Sequence, residues 1–119
     1  MSNHHLEFFI DGKWVAPAVP ATLDVIDPST EEAYTKISVG SKADVDRAVA
    51  AAKAAFPAFS QTTREERLQL LRRILEIYNE RYEDIAQAVS QENGSPITWA
   101  REAQAWAGRA HLEATIKAL

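Results

Sequence analysis

Apolar positions in the first forty residues come in short runs, whereas beyond residue 41 they recur every three or four. The runs Leu6 to Ile10 and Lys13 to Val15 flank Asp11-Gly12. Both central residues of a tight type I′ turn need positive φ, which Asp and Gly tolerate, so this stretch predicts a β-hairpin. Pro17 and Pro20 then interrupt pairing, because proline has no N–H for a ladder. Leu23, Val25 and Ile26 predict another strand, halted by the turn sequence Asp27-Pro28-Ser29-Thr30. Tyr34 to Val39 predicts one more, ending at Gly40.

Ser41 followed by Asp44 has the spacing of a capping pair. Val45, Ala48, Val49, Ala52, Ala55 and Phe56 mark one face of the helix that follows, and Pro57 is expected to stop it. Thr63-Arg64-Glu65-Glu66 is a capping box, with Glu66 placed to reach back to the Thr63 backbone. Leu68, Leu71, Leu75, Tyr78, Tyr82, Ile85 and Val89 follow at alternating spacings of three and four. Leu70, Ile74 and Ile77 widen that stripe, so the face should be buried on something broader than a narrow seam. One helix is expected from about residue 64 to about residue 91, roughly 40 Å long at 1.5 Å per residue. Gly94 sits where a left-handed C-cap wants glycine, and Pro96 acts as a stop and restart. Ile97 to Leu119 is again helical, with Ala100, Ala103, Ala107, Ala110 and Ala114 along one stripe. Trp99 and Trp106, seven apart, are expected on one face. The helical pattern reaches Leu119 without a Gly, Asn or Pro stop, so a truncated piece of a longer chain is expected.

Composition narrows the function. Thirteen Lys+Arg against seventeen Asp+Glu leave a net charge of −4, the wrong sign for tracking nucleic-acid phosphates. The absence of cysteine removes disulfides, cysteine metal sites and thiol nucleophiles. The start, Met1-Ser2-Asn3-His4-His5-Leu6-Glu7, lacks the basic and apolar regions of a secretory leader. Apolar stretches are far shorter than the roughly 20 residues of a membrane span. A cytoplasmic protein with no nucleic-acid or membrane partner is the expectation.

Candidate chemistry is sparse. The glycines at 12, 40, 94 and 108 are too dispersed for a phosphate-cradling loop. His4 and His5 read as a solvated terminus, since strand neighbours point to opposite faces. His111 reads as an ordinary histidine: Glu113, two residues on, cannot face it along a helix. The carboxylates Glu65, Glu66, Glu76, Glu80, Glu83 and Asp84 are interleaved with Arg64, Arg67, Arg72, Arg73 and Arg81, the pattern of a solvated face with weak pairs. No serine sits in a nucleophile elbow. No catalytic and no cofactor-binding residue can be named within these residues.

The ordered motifs carry more. Phe9-Ile10-Asp11-Gly12-Lys13-Trp14-Val15 resembles the opening hairpin of the aldehyde dehydrogenase superfamily. Val25-Ile26-Asp27-Pro28-Ser29-Thr30-Glu31-Glu32 is similar to that family's Asn/Asp-Pro turn. The stretch from Asp44 to Phe56 is similar to its D-V-D-x-A-V helix, and Thr63 to Leu68 and Glu92-Asn93-Gly94-Ser95-Pro96 complete the series. Five motifs in the family's order span nearly the whole chain.

The resemblance implies an α/β fold in which a β-hairpin and strand region (residues 1–40) precedes three α-helices (41–119). Those helices would flank a nucleotide-binding domain that is itself absent. It implies the N-terminal part of an NAD(P)⁺-dependent oxidoreductase that converts an aldehyde to a carboxylic acid. The catalytic cysteine, the glutamate and the cofactor site would lie downstream, so the piece alone would be inactive and would bind neither NAD nor NADP tightly. Its implied partners are the remainder of its own chain and, at full length, an aldehyde and further copies in a homo-oligomer. A structural monovalent cation is implied at Val25, Ile26 and Glu92, through oxygen ligands that suit a hard ion. Here Val25 lacks a side-chain hydroxyl and Glu92 is longer than the family's Asp, and Glu92 also reads simply as a helix end. Ala103 and Ala107 are placed by the resemblance at a substrate entrance, while helix packing explains both equally well. Glu31 stands where the family's turn has glycine, so that turn must avoid positive φ or tolerate strain. Ser95 stands where lysine is frequent. A rival from another class is a stand-alone helical interaction module whose apolar stripe receives a partner. A small unrelated α+β structural protein is a third.

Overall fold

The computed structural model describes residues 4–119; Met1, Ser2 and Asn3, the first three positions of the stretch read as lacking a leader, lie outside the described residues. Two compact units divide the chain. One holds the chain to Ile26 together with Glu32–Gln61, the other Asp27–Glu31 together with Thr62–Leu119. The sequence reading drew its boundary after residue 40; in the structure the first long helix groups with the strands, through a polar clasp at its N-terminus.

In the first unit, β1 (Phe8–Ile10) and β2 (Lys13–Val15) pair antiparallel with Phe8 opposite Val15, Phe9 opposite Trp14 and Ile10 opposite Lys13. Asp11 and Gly12 turn the chain at φ 54° and 72°, the pair of positive values that a type I′ turn demands. The strands β3 (Thr22–Asp27) and β4 (Glu32–Ser38) form a second two-stranded sheet. Helix α1 runs Lys42–Ser60. Asp44, in its first turn, is the buried residue of this unit among the described residues. Its carboxylate accepts from the Ser41 hydroxyl (2.7 Å) and N–H (2.9 Å), from the Ala18 N–H (2.9 Å) and from the Arg47 guanidinium (2.8 Å). Arg47 also donates to the Ala16 carbonyl at 3.2 Å. The loop that Pro17 and Pro20 keep out of any sheet is therefore pinned to the start of α1.

Pro57 does not stop α1, contrary to expectation. Proline forfeits one N–H bond and disfavours a helix interior, yet here the ladder continues for one more turn to Ser60. The Ser60 hydroxyl donates to the Pro57 carbonyl at 2.9 Å. The face predicted to be buried along α1 is largely open, with Val45, Val49 and Phe56 exposed. An open apolar groove runs between Phe9–Gly12 and the alanines at 48, 51, 52 and 55.

In the second unit, α2 (Arg64–Glu80) opens with the predicted box: Thr63 N–H donates to Glu66 at 2.7 Å and Glu66 N–H donates to the Thr63 hydroxyl at 3.2 Å. The single long helix expected to residue 91 is instead two. Arg81, at φ −102° and ψ 15°, separates α2 from α3 (Tyr82–Asn93). No glycine or proline marks the break. It falls between Tyr78 and Tyr82, whose hydroxyls are both tied to the last helical segment (below), so tertiary anchoring overrides a continuous local pattern. Gly94 ends α3 at φ 66°, as predicted, and a Cβ there would lie 2.9 Å from the Pro28 ring. Position 94 thus excludes side chains twice over, by backbone and by contact. The Asp27–Glu31 turn folds on Asp27, whose carbonyl accepts from the Glu31 N–H (2.8 Å) and whose carboxylate accepts from the Ser29 N–H (2.8 Å). Glu31 takes φ 61°: the turn tolerates the strain that glycine would avoid.

The last segment is not one α-helix. A single turn, α4 (Ile97–Trp99), leads into a π-helix over Ala100–Ala105, and α5 (Trp106–Ala118) follows. Leu68, Ala86, Ala100 and Ala105 form the buried core. The predicted stripe from Leu68 to Val89 is buried or half-buried, while the widening row of Leu70, Ile74 and Ile77 is exposed. Among the described residues no helix is long and apolar enough to cross a membrane.

Candidate functional site

The residues singled out from the sequence fall in both units. Val25 and Ile26 lie in β3 of the first unit, and Glu92 is exposed near the end of α3 in the second. Among the described residues no group of three or more His, Asp or Glu side chains could hold a metal ion. His111 is exposed on α5 and His5 is exposed before β1. His4, read as solvated, instead stacks on Trp14 with ring centroids 4.2 Å apart and planes within 3°, and its Nδ1 contacts Glu7. Trp14 is large and flat enough to shelter an imidazole even at an exposed hairpin.

The arrangement with the most built geometry is the wide turn that carries Ala103 and leads to Ala107. A π-helix closes its hydrogen bonds over five residues instead of four, and its two fully buried alanines, Ala100 and Ala105, are accordingly five apart. The predicted stripe had Ala103 in that place; Ala103 and Ala107 are both half-buried. The α-helical premise that put Trp99 and Trp106 on one face is removed by the same turn, and both indoles are exposed.

Three side chains of α2 and α3 hold the turn. Tyr78 donates its hydroxyl to the Ala105 carbonyl at 2.8 Å, and Tyr82 donates to the Arg101 carbonyl at 2.5 Å. Glu83 receives a two-pronged bond from Arg101, Nε at 2.8 Å and a terminal nitrogen at 2.6 Å. The sequence reading placed Glu83 on a solvated face of weak local pairs. A partner 18 residues away could not be read from i,i+4 spacing. The Arg101 guanidinium, with a lesser contribution from Gln87, holds the Glu83 carboxyl down at about 2. Burial, with Tyr82 beside it, pushes the Tyr78 phenol above its ordinary value, so the hydroxyl remains a donor. Arg109 lies 5.7 Å over the Tyr82 ring. By contrast, Arg72–Glu65 and Arg73–Glu76 are the exposed surface pairs expected.

The same helix carries unfinished polar business. Among the described residues, Gln104 Oε1 and Arg109 Nε are the buried side-chain atoms without a hydrogen-bond partner. Arg109 Nε lies 3.7 Å from the Glu113 carboxylate, an ion pair longer than a hydrogen bond, so Gln104 Oε1 is the acceptor left open in a fold that satisfies nearly all such atoms. Sequence reasoning missed Tyr78, Tyr82, Glu83, Gln104 and Arg109 as site residues. The one available signal was the five-residue spacing of Ala100 and Ala105.

Comparison with known proteins is consistent along the whole length. The profile of the aldehyde dehydrogenase family matches residues 14–118. A 3-succinoylsemialdehyde-pyridine dehydrogenase from a Pseudomonas species is 40% identical over 107 residues, 89% of this chain and 22% of that protein. Aldehyde dehydrogenase C (AldC) of Pseudomonas syringae, solved with NAD⁺ and octanal, superposes with a TM-score of 0.94 at 44% identity. That match covers 98% of this chain and 24% of AldC. An aldehyde dehydrogenase of Bartonella henselae gives 0.92 at 47% identity over 94% of this chain and 24% of its own. The chain thus spans about a quarter of the length of the relatives it matches. It belongs to the aldehyde dehydrogenase family.

Proposed function

We propose that this chain supplies the N-terminal part of an NAD(P)⁺-dependent aldehyde dehydrogenase, which oxidises an aldehyde to a carboxylic acid. In this reading the 119 residues contribute scaffold and an edge of the substrate entrance, at Ala103 and Ala107. The nucleophile, the general base and the dinucleotide site belong to the remaining three quarters of the enzyme. The observation that carries the reading is the superposition on AldC, at 98% coverage of this chain and 24% of that one. Two open apolar faces support it, Val45–Val49–Phe56 on α1 and Leu70–Ile74–Ile77 on α2. Contiguous apolar surface of this kind is a mark of interfaces, and the remainder of the enzyme is the surface proposed to cover both. A cytoplasmic homo-oligomer and a structural monovalent cation belong to the same proposal, the cation being a hard ion that takes oxygen ligands.

The test is a chimera in which this chain replaces the matching 24% of AldC, assayed for NAD⁺-dependent octanal oxidation beside the isolated chain. Turnover by the chimera and none by the chain alone is expected. A folded but inactive chimera, or NADH production by the chain alone, would remove the reading.

A further inference from the structure

We infer that Tyr78 and Tyr82 are positioning residues, whose hydroxyls hold the Ala100–Ala105 segment in its wide turn and thereby set the direction in which Ala103 and Ala107 face. The inference about substrate rests on the proposed aldehyde dehydrogenase reading; the latch itself rests on the contacts within the second unit.

An i→i+5 turn takes up about one residue more than an α-turn, so everything beyond it is rotated by roughly 100° relative to an unbroken α-helix. Ala103 lies within the turn and Ala107 beyond it. Their relative direction therefore depends on whether the turn stays wide. A π-turn is rare and needs outside support, and the two tyrosines give it at carbonyls 101 and 105, four residues apart. They reach from opposite sides of the Arg81 break, which lets Tyr78 in α2 and Tyr82 in α3 address successive parts of one helix. Gly108 completes the latch from the other side. A Cβ there would collide with the Tyr78 hydroxyl and stand 2.9 Å from the ring carbon bearing it, so only glycine leaves Tyr78 its seat. The Glu83–Arg101 fork ties the same residue whose carbonyl Tyr82 bonds. The two hydroxyls act on the backbone of the turn, while the fork and Gly108 hold the side chains around it.

The experiment compares the wild-type chain, Tyr78→Phe, Tyr82→Phe and the double variant, which remove only hydroxyls. In the isolated chain, NMR carbonyl shifts at Arg101 and Ala105 and the NOE pattern over 99–108 report the turn. Loss of i,i+5 contacts in favour of i,i+4 contacts in the double variant is expected, with the single variants intermediate. An unchanged pattern overturns the latch. In the AldC chimera the same substitutions are expected to raise KM for octanal roughly fivefold, about the worth of one net hydrogen bond, with a smaller effect on kcat than on KM. A relaxed turn with KM for octanal unmoved overturns the role in substrate positioning while leaving the latch. An inactive parent chimera overturns the family reading instead, and the isolated-chain arm still decides the latch.

Discussion

The two units are held together by different chemistry. In the first, the buried residue is an aspartate, Asp44, and the large apolar side chains Phe9, Val45, Val49 and Phe56 stand in solvent. In the second, all four buried residues are apolar, and polar groups act at the margin of that core, as tyrosine hydroxyls and an Arg–Glu fork. Hydrophobic burial is non-directional and scales with area, whereas a carboxylate clasp is directional and depends on ionisation. The second unit should therefore withstand acid and fail on loss of volume, and the first should do the reverse.

The largest effect is expected from Leu68→Ala. A large-to-small change at a buried leucine costs about 2–5 kcal/mol, and denaturant unfolding followed by amide exchange should show the loss in α2–α5 with α1 unaffected. Equal losses in both units would erase the contrast. Gly108→Ala comes next. Overpacking against Tyr78 should cost about 1–3 kcal/mol, less in the Tyr78→Phe background, where the hydroxyl that a Cβ meets is gone. A double-mutant cycle measures the difference, and strict additivity would separate Gly108 from Tyr78.

Acid sharpens the comparison from the other side. The Ser41 hydroxyl and N–H, then the Ala18 N–H and more weakly Arg47, hold the Asp44 carboxyl at about 2 against an ordinary 3.8. A carboxyl lowered by folding stabilises fully above its unfolded value and loses that contribution as pH falls through the folded one. The first unit should thus weaken between about pH 4 and pH 2. Asp44→Asn should lower its melting midpoint by several degrees at pH 7 and flatten that acid limb. Glu83, also near 2, is half exposed and solvent-screened, so its acid limb should be shallower. An acid limb that survives Asp44→Asn would assign it to other groups. The smallest effect is a gain. Glu31 holds φ 61°, a conformation costing a side chain roughly 1 kcal/mol that glycine does not incur, so Glu31→Gly should raise stability by up to about that amount. A loss would mean that the Glu31 side chain contributes more than its backbone strain costs.

What could be read from the sequence was whatever a residue dictates locally. Asp11-Gly12 allows one hairpin turn, Thr63 and Glu66 cap each other across three residues, and Gly94 supplies a left-handed stop; all three stand as expected. Three elements departed from the local pattern. Pro57 stays inside α1 with a local bond from the Ser60 hydroxyl, whereas the break at Arg81 and the π-turn at Ala100–Ala105 meet side chains and carbonyls outside their own segments. At the last two, the deciding partners lie 19 and 27 residues away. Local propensity is silent about such partners, and the seven-residue spacing of Trp99 and Trp106 presupposed an unbroken α-helix where a π-helix intervenes. Ala103 and Ala107, the proposed entrance residues, came from family resemblance; the tyrosines bonded to the turn beside them had read as core positions.

The open faces of α1 and α2 are proposed to be covered by the rest of an aldehyde dehydrogenase. Hydrogen exchange of residues 45–56 and 70–77, measured in the isolated chain and in the AldC chimera, tests it directly. Weak protection in the isolated chain that rises at least a hundredfold in the chimera is the predicted result. Equal protection in the two would show that these faces need no cover, and would contradict the account.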